Sequence, residues 1–141
     1  MAADHTIGTL SKATGVKVPT IRYYEQVGLM TPAPRTASNR RLYGQTDVAR
    51  LRFIRHAREL GFELDDIKQL LAFATEPSQS CSEVDAIARN HLHAIDSRIR
   101  RLKALRKEVA RMIESCGQGT ISECRIIDVL AHHEHCLHKR H

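Results

Sequence analysis

Between Cys81 and Ser115 the chain carries neither proline nor glycine, while Val84, Ala88, Leu92, Ile95, Ile99, Leu102, Val109 and Ile113 recur at helical spacing. Such spacing places them on one stripe of an α-helix, interrupted by Arg106 beside Leu105. Roughly 35 residues at 1.5 Å each reach about 50 Å. A chain of 141 residues cannot bury so long a seam with its own small domain. The stretch therefore predicts a coiled-coil helix covered by a second copy of the chain, which makes the protein a homodimer.

Cysteines bracket that helix. Cys81 stands at its start, and Cys116 and Cys124 stand just past its end, separated by the seven residues Gly117 to Glu123. If two such helices pair antiparallel, Cys81 of one chain comes beside Cys116 and Cys124 of the other. Three thiolates then gather at a subunit boundary, an arrangement that soft divalent metals favour.

Composition narrows the remaining possibilities. With no Trp, three Phe and three Tyr, aliphatic residues must carry the packing along helix faces. The formal charge of +6 favours an anionic partner, nucleic acid first. No apolar run is long enough to span a membrane, and the start MAADHTIGTL lacks the pattern of a secretory signal. The expectation is a cytoplasmic protein without a membrane partner, whose four cysteines serve as ligands, reactive thiols or core residues rather than disulfides.

Ahead of the long helix, Ile7, Leu10 and Ala13 define one face of a short helix from Thr6 to Thr14, with Gly15 at its C-cap. A second helix follows from Val18-Pro19-Thr20 to about Val27 and is closed by Gly28. Two short helices joined by a glycine-containing turn form a helix-turn-helix signature, whose second helix presents its N-terminal side chains to the major groove. Thr31 to Tyr43, punctuated by Pro, Ser and Asn around a short basic run, suits a β-ribbon or wing. Thr46 or Asp47 is a candidate cap for a helix reaching Leu60-Gly61, and Leu64-Asp65 for another ending near Thr75; Glu76 to Ser80 is a break. Arg22 and Tyr23 on the second helix, with Arg35, Arg40 and Arg41 on the wing, allow groove and phosphate contacts from two elements at once.

Ile7-Gly8, Thr20-Ile21-Arg22-Tyr23-Tyr24-Glu25, Gly28-Leu29, Arg41-Leu42-Tyr43, and the segment from Leu51 through Arg58 to Leu60-Gly61-Phe62 together resemble the MerR family of bacterial transcription regulators. The likeness extends from about Thr6 to Leu130. It implies a mainly α fold: a winged helix-turn-helix DNA-binding head over residues 1–75, a long antiparallel coiled-coil dimerisation helix over 81–115, a short metal-binding loop and helix over 116–131, and a His-rich tail over 132–141. It also implies a homodimer on double-stranded promoter DNA, which bends and untwists the DNA on effector binding so that RNA polymerase engages both promoter elements. The candidate DNA contacts are Thr20, Arg22, Tyr23, Arg35, Arg40, Arg41 and Tyr43. The wing departs from many relatives, carrying Asn39-Arg40 where they have Gly-Tyr or Gly-Phe before the arginine.

The short C-terminal segment leaves no room for an organic-ligand pocket and matches the family's metal-responsive branch, where Cys116 and Cys124 correspond to the effector ligands. Relatives that sense copper or silver tend to have Ser at the start of the dimer helix; this chain has Cys81. A third thiolate suits a divalent ion, so the resemblance implies Cd(II), Pb(II) or Zn(II) as effector, with Hg(II) also compatible. The intervening loop lacks the His or adjacent Cys that some zinc-type relatives use, which tilts the reading toward Cd(II) or Pb(II). Its length also occurs in copper sensors, so a copper(I) or mercury(II) sensor is the alternative within the family. The regulated genes implied are those for metal resistance or efflux.

The tail adds His132, His133, His135, Cys136 and His138, a density of imidazole and thiolate that implies metal affinity, whether regulatory or incidental. His91 on the dimer helix is a further candidate auxiliary ligand, against the ordinary reading of a solvent-facing histidine. A metal-handling enzyme or thiol reductase is disfavoured because the chain has no CxxC pair and no HExxH motif. A pure metal buffer is a separate alternative, distinguished from a regulator by sequence-specific DNA binding.

Overall fold

The protein is seen in a computed structural model that describes residues 4–38, 40–115 and 119–132. The described helices are α1 (Ile7–Thr14), α2 (Val18–Gln26), α3 (Gln45–Glu59), α4 (Leu64–Ala74), α5 (Ser82–Glu114) and α6 (Arg125–Ala131), with a 3-10 turn at Ile121–Glu123. None of them is long and apolar enough to cross a membrane. The chain divides into two compact units, Met1–Ile87 and Ala88–His141. The division falls inside α5 rather than in the break at residues 76–80, because the start of α5 belongs with the head: Val84 and Cys81 line one apolar cavity with Phe53, Leu70 and Phe73.

Local chemistry explains the helix ends in the first unit. The Thr6 side-chain oxygen accepts the Thr9 N–H (3.3 Å) to start α1, and Gly15, at φ 75°, ends it in the left-handed region that glycine enters without steric cost. Pro19 occupies the second position of α2, where a missing N–H is no loss. Beyond Gly28 (φ 83°) the Leu29 and Met30 N–H groups both turn back to the Tyr24 carbonyl. Two capping expectations shift. Gly44 is the N-cap of α3, with Asp47 three residues on accepting the Gly44 N–H (2.9 Å), and Glu63 is the N-cap of α4, whose first turn carries Asp65 and Asp66.

Helix α1 packs on α2 and α3, and α3 packs on α4. Leu10, Ile21, Leu29, Leu51, Ile54 and Ile67 are fully buried between them. Each such side chain contributes about 1.5–3 kcal/mol of transfer free energy. Arginines of α3 tie the bundle further: the Arg55 guanidinium donates to the Thr14 carbonyl (2.6 Å) and Arg52 to Ala13 (3.2 Å), satisfying carbonyls at the end of α1. Arg50 donates to the Leu29 carbonyl (2.6 Å). A side chain on Gly15 would run into the Arg55 guanidinium, so this position requires glycine for its space as well as its backbone.

The wing is thinner than a ribbon. Its described pairing is one antiparallel bridge between Arg35 and Arg41, with the Thr36 N–H donating to the Arg40 carbonyl (2.7 Å). A second bridge joins Tyr43 to His5, each N–H donating to the other's carbonyl (2.7 Å). Tyr43, expected among the DNA-contacting residues, is instead a core side chain with no exposed surface, and its hydroxyl donates to Glu25 Oε2 (3.0 Å). An alternating pattern shows which residues share a face, but not which face the core covers.

In the second unit, Glu108 and Met112 of α5 and Val129 of α6 are buried, whereas Leu92, Ile99, Leu102, Val109 and Ile113 remain exposed. The expected seam is therefore present on a continuous helix and uncovered within the single chain.

Burial, followed by the hydrogen bond to Glu25, pushes the Tyr43 phenol up to about 12. The fold holds the neutral phenol, so this stabilisation is complete below the ordinary value of 10.0 and is lost as pH rises through about 12. Tyr43→Phe is expected to cost about 0.5–1.5 kcal/mol at neutral pH through the lost hydrogen bond. It should also remove part of the alkaline destabilisation between pH 10 and 12, so urea denaturation across that window tests both effects; an unchanged alkaline slope contradicts the assignment.

Candidate functional site

Between the start of α1, the exposed face of α2 and the wing lies an open cleft of about 890 Å³. Thr6, Ile7 and Gly8 form one wall, Arg22, Glu25 and Gln26 of α2 the floor, and Pro32, Arg35, Arg40, Arg41 and Tyr43 the other side. Among the described residues, four guanidinium groups thus border a space with one carboxylate, Glu25, which is itself engaged by the Tyr43 hydroxyl. Arg22, Arg35 and Arg40 are exposed and Arg41 is half-buried. Planar, permanently charged donors converging from two elements suit the phosphate oxygens of a polyanion, to which they can donate in pairs.

The seven candidate contacts therefore divide by face. Arg22, Arg35, Arg40, Arg41 and Tyr43 line the cleft, Tyr43 from below as a support. Thr20 and Tyr23 do not line it: three residues apart, they share another face of α2, where Thr20 is half-buried and Tyr23 is 48% exposed, its ring 6.3 Å from that of Tyr24. Gln26 and Thr6 line the cleft without having been expected there. Gln26 was signalled by its position four residues after Arg22, on the same helical face.

A second basic depression of about 530 Å³, bordered by Lys12, Arg52, Arg55 and His56, differs in kind. Arg52 and Arg55 there are already bonded to carbonyls of α1, and Arg55 also pairs with Glu59 (3.1 Å). Their charge serves the fold.

Of the candidate thiolate ligands, Cys81 is exposed immediately before α5, its carbonyl accepting the Asp85 N–H (2.8 Å), and it borders the apolar cavity, about 290 Å³, under α4. Cys124 is half-buried at the N-cap of α6, where its carbonyl accepts the Asp128 N–H (3.1 Å). Neither is in a disulfide. Cys116, His133, His135, Cys136 and His138 lie outside the described residues. Among the described residues no three His, Cys, Asp or Glu side chains gather as a metal site. His91 is half-buried on α5, and His132 follows α6 with its Nδ1 3.3 Å from Asp128 Oδ1.

Comparison with known proteins bears on both sites. The profile of the MerR HTH family regulatory proteins matches residues 5–74, and that described as MerR, DNA binding matches residues 48–112. The chain is 42% identical over 125 residues to the HTH-type transcriptional regulator HmrR of Sinorhizobium medicae, covering 89% of this chain and 85% of the relative. It is 40% identical, with the same coverage, to heavy metal-dependent transcription regulator 2 of Rhizobium meliloti. Among solved structures, the transcription regulator PbrR691 of Ralstonia metallidurans in complex with lead(II) superimposes with a TM-score of 0.78 at 36% identity, over 89% of this chain and 98% of that one.

The cleft geometry predicts that Arg22→Ala and Arg41→Ala each weaken binding to operator DNA by about 1–3 kcal/mol. Loss of a phosphate contact should also make the salt dependence shallower by about one ion per arginine. Gel-shift titrations at several fixed salt concentrations measure both; unaltered affinity would remove the cleft from the DNA interface.

Proposed function

The chain belongs to the MerR family of helix-turn-helix transcriptional regulators, which are not enzymes, and from that premise we propose that it is a homodimeric, metal-responsive activator of promoters for metal-resistance or efflux genes. The observation that carries the reading is the placement of its thiols: Cys81 directly before the 33-residue α5, and Cys116 and Cys124 after it. An antiparallel pairing of two α5 helices through Leu92, Ile99, Leu102, Val109 and Ile113 brings Cys81 of one protomer to Cys116 and Cys124 of the partner subunit. Neither Cys81 nor Cys124 is in a disulfide, and thiolate is a donor suited to a soft ion.

Three thiolates carry enough negative charge and enough donors for a divalent ion, whereas a monovalent soft ion is satisfied by two in a line. The effector is accordingly Cd(II), Pb(II) or Zn(II), with Hg(II) also accommodated. The lead(II) complex of the structurally similar PbrR691 supports this choice of class. The ligands come from both protomers, so their closure around the ion ties the partner's C-terminal loop to the residue that starts α5. Cys81 borders the cavity formed with Phe53 of α3 and Leu70 and Phe73 of α4, so a change there reaches the helices that carry the head. A dimer whose two conformations favour different DNA geometry converts that change into promoter bending and untwisting, which lets RNA polymerase engage both elements.

Cys81→Ser and Cys116→Ser should each abolish metal-dependent transcription in vitro across a Cd(II), Pb(II), Zn(II) and Hg(II) panel, while leaving operator binding intact. A heterodimer carrying Cys81→Ser in one chain and Cys116→Ser in the other should retain one complete three-thiolate site. Two equal sites of two thiolates each would instead show that the ligands come from one chain, and the shared-site reading would fail.

A further inference from the structure

The apolar stripe of α5 is flanked by charge that is unevenly placed along the helix. From Arg98 to Lys107 six of ten residues are Lys or Arg, and between Asp85 and Glu108 the one carboxylate is Asp96. Asp96 and Lys103 are both exposed. Seven residues, two turns, separate them, so they stand on the same flank of the helix. Ile99, 44% exposed, comes three residues after the first and four before the second, which sets that flank beside the apolar stripe. About 10 Å of helix axis lies between Asp96 and Lys103, too far for a pair within one chain. Arg100, one turn beyond Asp96, donates to Ser97 Oγ (3.2 Å).

Those charges discriminate between the ways a second copy can lie on the stripe. In a parallel pair each basic block lies beside the same block of the other chain, and Arg106, which lines an apolar groove with Leu102, Val109 and Ile113, meets its own counterpart. Like charges so opposed are unfavourable. An antiparallel pair with matched ends is centred near residue 98 of Ser82–Glu114. Position 96 then faces position 100, less than one turn from Lys103 of the partner subunit. We propose that α5 selects a second copy of itself in this direction and register, with Asp96 of each protomer paired to Lys103 of the partner subunit and the basic block excluding a parallel arrangement. The inference rests on the homodimer proposed above and adds what fixes its direction; it does not depend on the metal. An exposed ion pair contributes little attraction by itself. Its effect is on choice of partner, since a parallel alignment leaves each basic block facing its own kind.

The test is a charge exchange in the full chain, with the monomer–dimer equilibrium followed by sedimentation equilibrium at low and at high salt. Asp96→Lys and Lys103→Asp should each raise the dimer dissociation constant about fivefold at low salt, and less at high salt. A chain carrying both substitutions should return to within about twofold of the parent, because the exchanged pair re-forms between subunits while the two positions are too far apart to compensate within one. Single variants indistinguishable from the parent, or a double variant whose loss is the product of the two, overturn the pairing. So does a tighter dimer with Lys103→Asp, the result expected if the block merely repels the other chain as a whole. A parent chain that stays monomeric removes the homodimer itself, which is a different outcome from a dimer indifferent to these charges. Far-UV circular dichroism verifies the helices. Should a reversal unfold the chain, Asp96→Asn and Lys103→Gln replace it, where the double variant should lose no more than either single one and a loss equal to their product overturns the proposal.

Discussion

The hydrogen bond from the buried Tyr43 hydroxyl to Glu25 is the contact through which the head holds its wing. The wing's described backbone pairing is a bridge between Arg35 and Arg41 and another between Tyr43 and His5, and Ala33 ahead of it is buried in the core. Burying the Tyr43 ring in the core, with its hydroxyl bonded to a carboxylate on α2, anchors the returning strand to the helix that forms the cleft floor. The same carboxylate places one negative charge among four positive ones. The Tyr43–Glu25 pair thus contributes to both position and electrostatics.

Arginine does two different jobs within this small head. Arg50, Arg52 and Arg55 of α3 are turned inward onto the carbonyls of Leu29, Ala13 and Thr14, where they close helix and turn ends that would otherwise need water. Arg22, Arg35 and Arg40 are turned outward. Net charge therefore overstates the attraction available to an anionic partner, and the cleft is where the outward-facing arginines converge. Aliphatic packing among α1 to α4 supplies the rigid base on which both sets depend.

The long helix poses the opposite problem. Its early residues join the head through the cavity shared with Phe53 and Phe73, but farther along it presents large apolar side chains that its own chain leaves exposed. Leu102 is 64% exposed and Ile113 60%, more than a stable monomer would ordinarily leave open along one stripe. The proposed homodimer covers that seam with a second copy of the chain.

Helix periodicity, the cap at Gly15, and the unbroken stretch preceding Cys116 were legible in the sequence because they depend on local backbone preference and on spacing along one element. So was the basic character of the helix-turn-helix and wing. Less legible was which way each side chain turns: Tyr43 reads as a wing contact by its position beside Arg41, yet it lies in the core, while Thr20 and Tyr23 sit on α2 but away from the cleft. Capping at Gly44 and Glu63 was equally hidden, since a backbone turn can start a helix without the usual side-chain oxygen. By itself the sequence determined the elements, their amphipathic faces and the inventory of charged, cysteine and histidine side chains. Tertiary structure alone decided which arginines close helix ends and which face the cleft, because that depends on contacts between residues as far apart as Thr14 and Arg55, which no local pattern encodes.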